Sequence, residues 1–518
     1  MLKSPLYGDW DQVWRVFEYH SGHYFLGRGE VLSPTASGTY RPITMLTLLV
    51  SHALVPEPWL HHLVSWLMHV ATSAVLYVVL LRQDAWVTGS RGREVALLLS
   101  GLFLLHPVMV ETYVWINGRS DLLAGLCLAV LALLLSWRPE SDAKRYALIA
   151  CVAFLGAGSK STFLVASVAL WIGSRDRFGE SARPWPIGLL IVAGFVPVLV
   201  GRLLFVPFKG QMGASEGILT DWSAWSRTPR LVAMGSDALL GFRAEAMQSL
   251  AWAFEQPPSV GEWIGGLVTL ASIAFLAWRR DRGGLAFLFG GMLTLAPCVV
   301  VSKSIWMGFD RYLYMPAILF TLAGAPYATR IATRLLRWPV LGRVVAAALV
   351  LVAVMGTWVA SASYANQFAY QRAMLSERPA DSTVRFLVAK IANDTGDVAA
   401  ARQLIREIPS PPWPQALIMP ALALAGELSD AETMNVAIEY GLVRYPEDAD
   451  LRAYGMRLRY MQGRFEEALD LASSIGPNDA PCEQVRLQLR IWTLDTTHPD
   501  TRHRVGEVAK RMQCAGDL

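Results

Sequence analysis

Ten apolar runs, at about 57–82, 93–114, 119–137, 143–158, 160–174, 185–206, 259–278, 284–302, 311–329 and 341–363, constrain this chain more than any other feature. An α-helix rises 1.5 Å per residue, so about 20 apolar residues cross about 30 Å of hydrocarbon. Backbone groups in lipid must also close their hydrogen bonds within the segment. The runs therefore predict an all-α, polytopic membrane helix bundle of about ten spans over 57–363. Composition agrees, since 53% of the residues are hydrophobic and 17% charged, against about 25% charged for a soluble domain. The fourth and fifth runs are short and share the link Gly156-Ala157-Gly158-Ser159-Lys160, so a single hairpin that does not fully cross stays open for them.

Charge divides the loops between the runs. Arg82, Arg91 and Arg93, then Arg138, Lys144 and Arg145, then Arg175, Arg177 and Arg183, then Arg279, Arg280 and Arg282, then Arg330, Arg334, Arg337 and Arg343 fall in alternate loops. Short cytoplasmic loops carry the excess of Lys and Arg, so this side is predicted cytoplasmic. The N-terminal segment 1–56, a long loop over 207–258 and the C-terminal region 364–518 then face outward. An outward N-terminus carrying Asp9, Asp11, Arg15, Glu18 and Arg28 without a signal peptide suggests a further helix upstream of Met1. Arginine greatly outnumbers lysine, which suggests a GC-rich bacterial genome and hence a bacterial cytoplasmic membrane with a periplasmic or extracellular C-terminal domain.

After residue 363 the pattern becomes polar and helical. Gly396-Asp397-Val398-Ala399-Ala400-Ala401 and Gly463-Arg464-Phe465-Glu466-Glu467-Ala468 each set a turn glycine five residues before a small packing alanine. Met434, Ile438, Gly441 and Pro446 fit the same 34-residue frame between them. The predicted domain is an α-solenoid of tetratricopeptide-like repeats, with a generic all-α domain as the alternative. Stacked helix pairs leave a concave face suited to a polypeptide partner.

A net charge of +4 with arginines scattered through short loops gives no basic stripe, which argues against nucleic-acid binding. Of the five cysteines, Cys127, Cys151 and Cys298 lie in apolar runs and read as small hydrophobes. Cys482 and Cys514 flank the last helical pair and could bridge in an oxidising compartment.

Ionisable residues near a bilayer are costly and usually functional. On the predicted outer side they gather: Arg41, His69, His106, Glu111, Arg119, Asp121, Lys160, Lys303, Arg311 and Tyr314. Arg41, Arg119, Lys160, Lys303 and Arg311 are cations suited to a phosphate or pyrophosphate head group, and Glu111 and Asp121 are candidate catalytic carboxylates. The competing reading is that each charge snorkels separately to the interface. His52, His61 and Tyr312 are assigned structural roles.

Six ordered stretches carry a resemblance. They are Tyr40-Arg41-Pro42-Ile43-Thr44, His62-x-x-Ser65-x-x-x-His69, His106-Pro107-x-x-x-Glu111, Gly118-Arg119-Ser120-Asp121-Leu122-Leu123, Lys160, and Arg311-Tyr312-Leu313-Tyr314-Met315-Pro316. Over about residues 4–330 the chain resembles the transmembrane and tetratricopeptide-repeat-containing O-mannosyltransferases, multi-pass enzymes of the C-type glycosyltransferase fold. The resemblance implies transfer of a sugar, mannose in that family, from a polyprenyl-phosphate donor to a hydroxyl of an exported protein or glycan. A divalent metal is compatible with that chemistry. The family's acidic pair after its first membrane helix, in the loop that supplies its catalytic carboxylate, has no counterpart between Met1 and Leu518, and the resemblance implies a place for it upstream of Met1. Ser65 replaces a usual asparagine, and Ser161 a usual glutamate. Those departures keep a second reading open, a non-catalytic membrane-anchored repeat scaffold for envelope or secretion assembly.

Overall fold

The computed structural model describes residues 41–82, 90–137, 142–178, 184–205, 226–241, 257–295, 298, 310–335, 339–365, 373–376, 382–408, 415–476, 479, 481–492 and 499–511. The chain divides into two compact units, 1–302 with 306–373, and 374–518 with 303–305. Among the described residues both are helical, as expected of an all-α membrane protein.

In the first unit the helices run α1 (Pro42–Leu54), α2 (Pro58–Leu81), α3 (Ser90–Leu104), the one-turn α4 (Val110–Val114), α5 (Arg119–Leu135), α6 (Asp142–Ser159), α7 (Phe163–Arg177), α8 (Pro184–Phe205), α9 (Thr228–Leu240), α10 (Val260–Trp278), α11 (Arg282–Thr294), α12 (Tyr314–Leu335) and α13 (Pro339–Ser363). Local chemistry sets several starts. Proline opens α1 and α2, where its missing N–H is no loss. Ser259 accepts from the Glu262 amide at 3.0 Å to cap α10, and Asp281 accepts from the Gly284 amide at 2.8 Å to cap α11.

A helix answers each of the ten apolar runs, but among the described residues three alone are long and apolar enough to cross a membrane by themselves: Pro58–Leu81, Val260–Trp278 and Val340–Ser363. A fourth is added if Gly92–Leu104 and Pro107–Val114, bent by 47°, form one broken span. Packing distinguishes the helices further. The helix Arg119–Leu135 has 17 residues, and most of them are buried, so its apolarity serves contact with neighbours. By contrast, Val260, Leu267 and Trp278 on α10 and Val340, Leu351 and Trp358 on α13 are exposed apolar side chains, the pattern of a lipid-facing surface. The further helix and the acidic pair expected upstream of Met1 lie outside the described residues, as does Met1 itself.

Runs four and five form two helices joined by a short link, each with its own main neighbours. α6 packs on α5 and α8, whereas α7 packs chiefly on α11. Two buried arginines secure helix ends. Arg145 donates to the carbonyls of Leu134 (2.9 Å) and Leu135 (3.3 Å) at the close of α5. Arg177 on α7 donates to Asp281 Oδ2 at 2.6 Å, an oxygen that also accepts from Tyr327 Oη at 2.6 Å, so α7, α11 and α12 meet at one carboxylate.

The second unit runs α14 (Ser382–Asp394), α15 (Val398–Arg406), α16 (Gln415–Glu427), α17 (Ala431–Arg444), α18 (Ala449–Met461), α19 (Phe465–Ser473), α20 (Cys482–Trp492) and α21 (Pro499–Arg511). The first three helix pairs each turn through one residue of positive φ: Gly396 at 88°, Ser429 at 53° and Gly463 at 75°. From 396 to 429 is 33 residues and from 429 to 463 is 34, so one turn geometry recurs at a nearly constant period. Glycine takes this left-handed conformation without a Cβ clash, which accounts for two of the three turns. Ala401 and Ala468, five residues after those glycines, are fully buried. In the middle pair Met434 is partly buried, and Ala437 and Ile438 supply the buried contact. Cys482 is disulfide-bonded, while its predicted partner Cys514 lies outside the described residues. Cys127, Cys151 and Cys298 are free thiols.

Candidate functional site

The site begins where the chain breaks after α3. His106-Pro107 ends the helix because proline lacks the N–H that would continue it. Breaking a helix in an apolar setting strands carbonyls, which must find other donors. Leu104 O accepts from His69 Nε2 at 3.0 Å, and Leu105 O accepts from Thr357 Oγ1 of α13. His69 Nδ1 meets Tyr314 Oη at 2.9 Å. With Nε2 facing a carbonyl, that nitrogen carries the proton and Nδ1 accepts from the tyrosine hydroxyl. His106 works the same way, with Nε2 2.9 Å from Leu239 O and Nδ1 accepting from the Val108 amide at 3.3 Å. Three predicted site residues, His69, His106 and Tyr314, thus hold the break in place.

The break redirects the chain so that Glu111, on α4, is 3% exposed. A turn over Ile116–Gly118 then leads into α5. A Cβ on Gly118 would lie 2.3 Å from Thr112 O, so only glycine allows this close return. The turn sets Arg119 and Asp121 on the first turn of α5, two residues apart and hence on different sides of the helix.

They face different surroundings. Arg119 is fully buried, and its Nη1 donates to Ser51 Oγ at 2.6 Å and Thr47 O at 3.1 Å, while Nη2 donates to His61 O at 2.7 Å. Its guanidinium joins α5 to α1 and α2. Asp121 pairs instead with Lys160, which stands between α6 and α7 and is as buried as its partner. Asp121 Oδ2 also accepts from Ser120 Oγ at 3.2 Å, and that oxygen accepts from Arg41 Nη1 at 3.1 Å.

Around this pair two more groups converge. The Lys160 ammonium lies 4.4 Å from the centroid of the Tyr312 ring. Arg311 has its guanidinium 4.0 Å from the Trp115 ring and 5.0 Å from the Tyr312 ring, and Nη2 donates to Tyr312 Oη at 3.3 Å. The Arg311 backbone amide donates to Glu111 Oε2 at 3.3 Å. Residues separated by 270 positions, from Arg41 to Arg311, therefore form one cluster of three cations, two carboxylates and two aromatic rings.

The cluster gathers Arg41, Glu111, Asp121, Lys160 and Arg311 from the sequence-predicted set. Arg119 adjoins it through Asp121's helix but directs its donors elsewhere. Lys303 lies outside the described residues, and so does the acidic pair expected upstream of Met1, so the carboxylates of the described site are Glu111 and Asp121. Trp115, Ser120 and Tyr312 were missed as site residues, Tyr312 having been assigned a structural role. Their positions beside Gly118-Arg119 and Arg311 were the only available signal. Among the described residues no group of three or more His, Cys, Asp or Glu side chains could hold a metal ion. Asp121 is paired with the Lys160 ammonium and Glu111 accepts from the Arg311 amide, cationic surroundings unsuited to a divalent cation.

The cluster brings together polar groups from four separate segments beside a broken span. Over 206 residues, 37% of this chain, it is 29% identical to "Protein O-mannosyl-transferase Tmtc2" of Drosophila melanogaster. Over 130 residues, 25% of this chain, it is 31% identical to "Protein O-mannosyl-transferase TMTC1" of Mus musculus. The chain is similar to protein O-mannosyl-transferases. The matched stretches span 21% and 12% of those two relatives' own lengths. No family model matches the chain, and no solved structure matches it.

Proposed function

We propose that this membrane protein is a glycosyltransferase that moves a sugar, mannose by analogy with its relatives, from a polyprenyl-phosphate carrier to a hydroxyl of a protein. The observation that carries this reading is Arg311, whose guanidinium lies over the rings of both Trp115 and Tyr312. Its Nη1 and Nε donors have no hydrogen-bond partner among the described residues. Planar guanidinium donors match two phosphate oxygens at once, and an aromatic wall fixes their plane. Arg41 likewise bonds through Nη1 alone among the described residues, to Ser120. Lys160, paired to Asp121, adds positive potential without being drawn away.

An anionic leaving group needs this arrangement. As the bond from the sugar carbon to the phosphate oxygen breaks, charge grows on the phosphate, and pre-aligned cations stabilise it more than they stabilise the intact donor. Arg119, Gly118, His69, His106 and Tyr314 are positioning residues that hold the elements carrying the cluster. An apolar cavity of about 510 Å³ lies beside the break, lined by Phe103, His106, Met109, Leu239, Thr269 and Tyr327 among others. It suits part of an isoprenoid chain, since ligand cavities are mostly apolar with a few polar groups for orientation.

The recurring helix pairs of the second unit support a tetratricopeptide-like domain that recognises the polypeptide acceptor through a concave face. The topology favoured by loop charge sets the cluster and this domain on the side opposite the arginine-rich loops. The test is direct. Purified full-length protein in lipid nanodiscs is presented with polyprenyl-phosphate sugars and a serine- and threonine-containing peptide. Donor binding and peptide glycosylation are expected, both weakened at least tenfold by Arg311→Ala and by Arg41→Ala. Failure to bind any such donor, with the protein folded, would sink the reading and favour a membrane-anchored scaffold.

A further inference from the structure

We propose that the turn joining α10 to α11 binds the head group of an anionic phospholipid, independently of the transfer chemistry above. The turn is Arg279-Arg280-Asp281-Arg282. α10 closes as the Arg280 amide donates to Ala277 O and the Asp281 amide to Leu276 O, both at 2.9 Å. That closure sets Arg280 at φ 53°, in a position that glycine usually takes. The backbone gains nothing from an arginine there, and strain kept at such a position points to a task for the side chain.

The turn's own carboxylate is already committed. Asp281 Oδ2 accepts from Arg177 and Tyr327, and Oδ1 accepts from the Gly284 amide. Arg279, Arg280 and Arg282 are exposed, and their guanidinium groups make no hydrogen bond or ion pair among the described residues. Three cations thus crowd a four-residue turn whose anion is spent on other partners. Fork-shaped guanidinium donors match the oxygens of a phosphate group.

The surroundings of the turn select a lipid over a soluble anion. α10 is long and apolar enough to cross a membrane, and its last residue, Trp278, is 76% exposed. Tryptophan favours the boundary between hydrocarbon and head groups, so the turn lies at head-group depth. The Arg279 guanidinium is 6.0 Å from the Trp278 ring, and the Phe275 ring is 6.2 Å from Trp278 and 5.0 Å from Tyr327. Arg330 lies 5.5 Å from the Tyr327 ring, so this aromatic row carries a cation at each end. Phe275, Leu267 and Ile264 continue the exposed apolar surface along α10, the path for an acyl chain. A soluble anion uses the arginines alone, whereas a phospholipid uses the arginines and the aromatic row together. Snorkelling accounts for arginines at a membrane boundary, but it does not call for one in the left-handed region.

The experiment titrates full-length protein in detergent with palmitoyl-oleoyl phosphatidylglycerol, with the matching phosphatidylcholine and with soluble glycerophosphate, and reads retention by native mass spectrometry. Phosphatidylglycerol is expected to be retained at least about tenfold better than phosphatidylcholine. Arg279→Gln, Arg280→Gly and Arg282→Gln combined should abolish that preference. Arg82→Gln, Lys144→Gln and Arg343→Gln combined remove the same charge from exposed positions elsewhere and should change the preference by less than about twofold. Arg280→Gly alone should weaken phosphatidylglycerol retention by about threefold while keeping or raising the thermal midpoint, because it removes a guanidinium and relieves the backbone. A loss of lipid at an undiminished midpoint is not misfolding. Trp278→Ala should weaken retention of the lipid and leave any binding of glycerophosphate as it was. Equal losses in the two triple variants would reduce the turn to general surface charge and overturn the proposal. An unchanged preference in the first triple variant would overturn it too, as would glycerophosphate binding as tightly as phosphatidylglycerol, which would make the ligand a soluble anion.

Discussion

The guanidinium of Arg311 lies 4.0 Å from the centroid of the Trp115 ring, although 196 residues separate the two in sequence. A cation over an aromatic face in a desolvated setting is stabilised by about 0.5–2 kcal/mol. Trp115→Ala should therefore raise the donor Kd by about threefold to thirtyfold while leaving the helical content unchanged. Isothermal titration alongside circular dichroism measures both. Trp115→Phe, which keeps a weaker aromatic face, should fall between.

The ion pair of Lys160 and Asp121 is buried on both sides. Removing one partner leaves the other charge uncompensated, at a cost of about 3–5 kcal/mol. Lys160→Met alone and Asp121→Asn alone should each lower the thermal midpoint in detergent. Combining them should cost less than the sum of the two, because neither charge is then stranded. An additive result in the double-mutant cycle would show that the pair contributes nothing beyond its separate residues.

Ser429 occupies at φ 53° the turn position that glycine fills at 396 and 463. A non-glycine residue held in the left-handed region costs about 1–2 kcal/mol. Ser429→Gly should stabilise the second unit by about 0.5–1 kcal/mol after the larger backbone entropy of glycine is subtracted. Gly463→Ala should destabilise it by about 1 kcal/mol. Amide exchange of α17 and α18 in the full chain would rise or fall accordingly.

Asp430 is held below the usual carboxylate range, first by the hydrogen bonds from Arg406, at 2.8 and 3.2 Å, and then by Thr433. A carboxyl with a depressed folded pKa binds fewer protons when folded than when unfolded. Its stabilisation is complete above the unfolded value of about 3.9 and disappears as pH falls through the folded value. Asp430→Asn should therefore increase amide exchange at the start of α17 at pH 7. The difference from the unaltered chain should vanish once the pH is below the folded value. An exchange difference that is unchanged from pH 7 to that limit would exclude the charge as its source.

Most of the architecture could be read from the sequence because it depends on local signals. Each apolar run became a helix since apolar side chains at that density need an apolar surround, whether lipid or protein. The repeat period was visible because Gly396 and Gly463 mark a backbone conformation that few residues adopt. The sequence could not separate lipid-facing spans from buried helices. Leu128 of α5 and Leu267 of α10 contribute equally to hydropathy, yet one is fully buried and the other 63% exposed.

The candidate site was legible as an inventory of charged residues at helix ends, since charge near a bilayer is too costly to be incidental. Their roles depended on direction, which only the tertiary structure decides. Arg119 and Asp121 are two residues apart, and on a helix that separation is about 200° of arc. It turns Arg119 toward Ser51, Thr47 and His61 and Asp121 toward Lys160. Tyr312 and Trp115 entered the site through contacts with Lys160 and Arg311 that no local pattern encodes. Hydrophobicity and backbone preference are properties of neighbouring residues, so the chain itself determined a membrane-embedded helical bundle followed by helix pairs. The cluster of Arg41, Glu111, Asp121, Lys160 and Arg311 depends on helices crossing in space, and only the packed fold brings those side chains together.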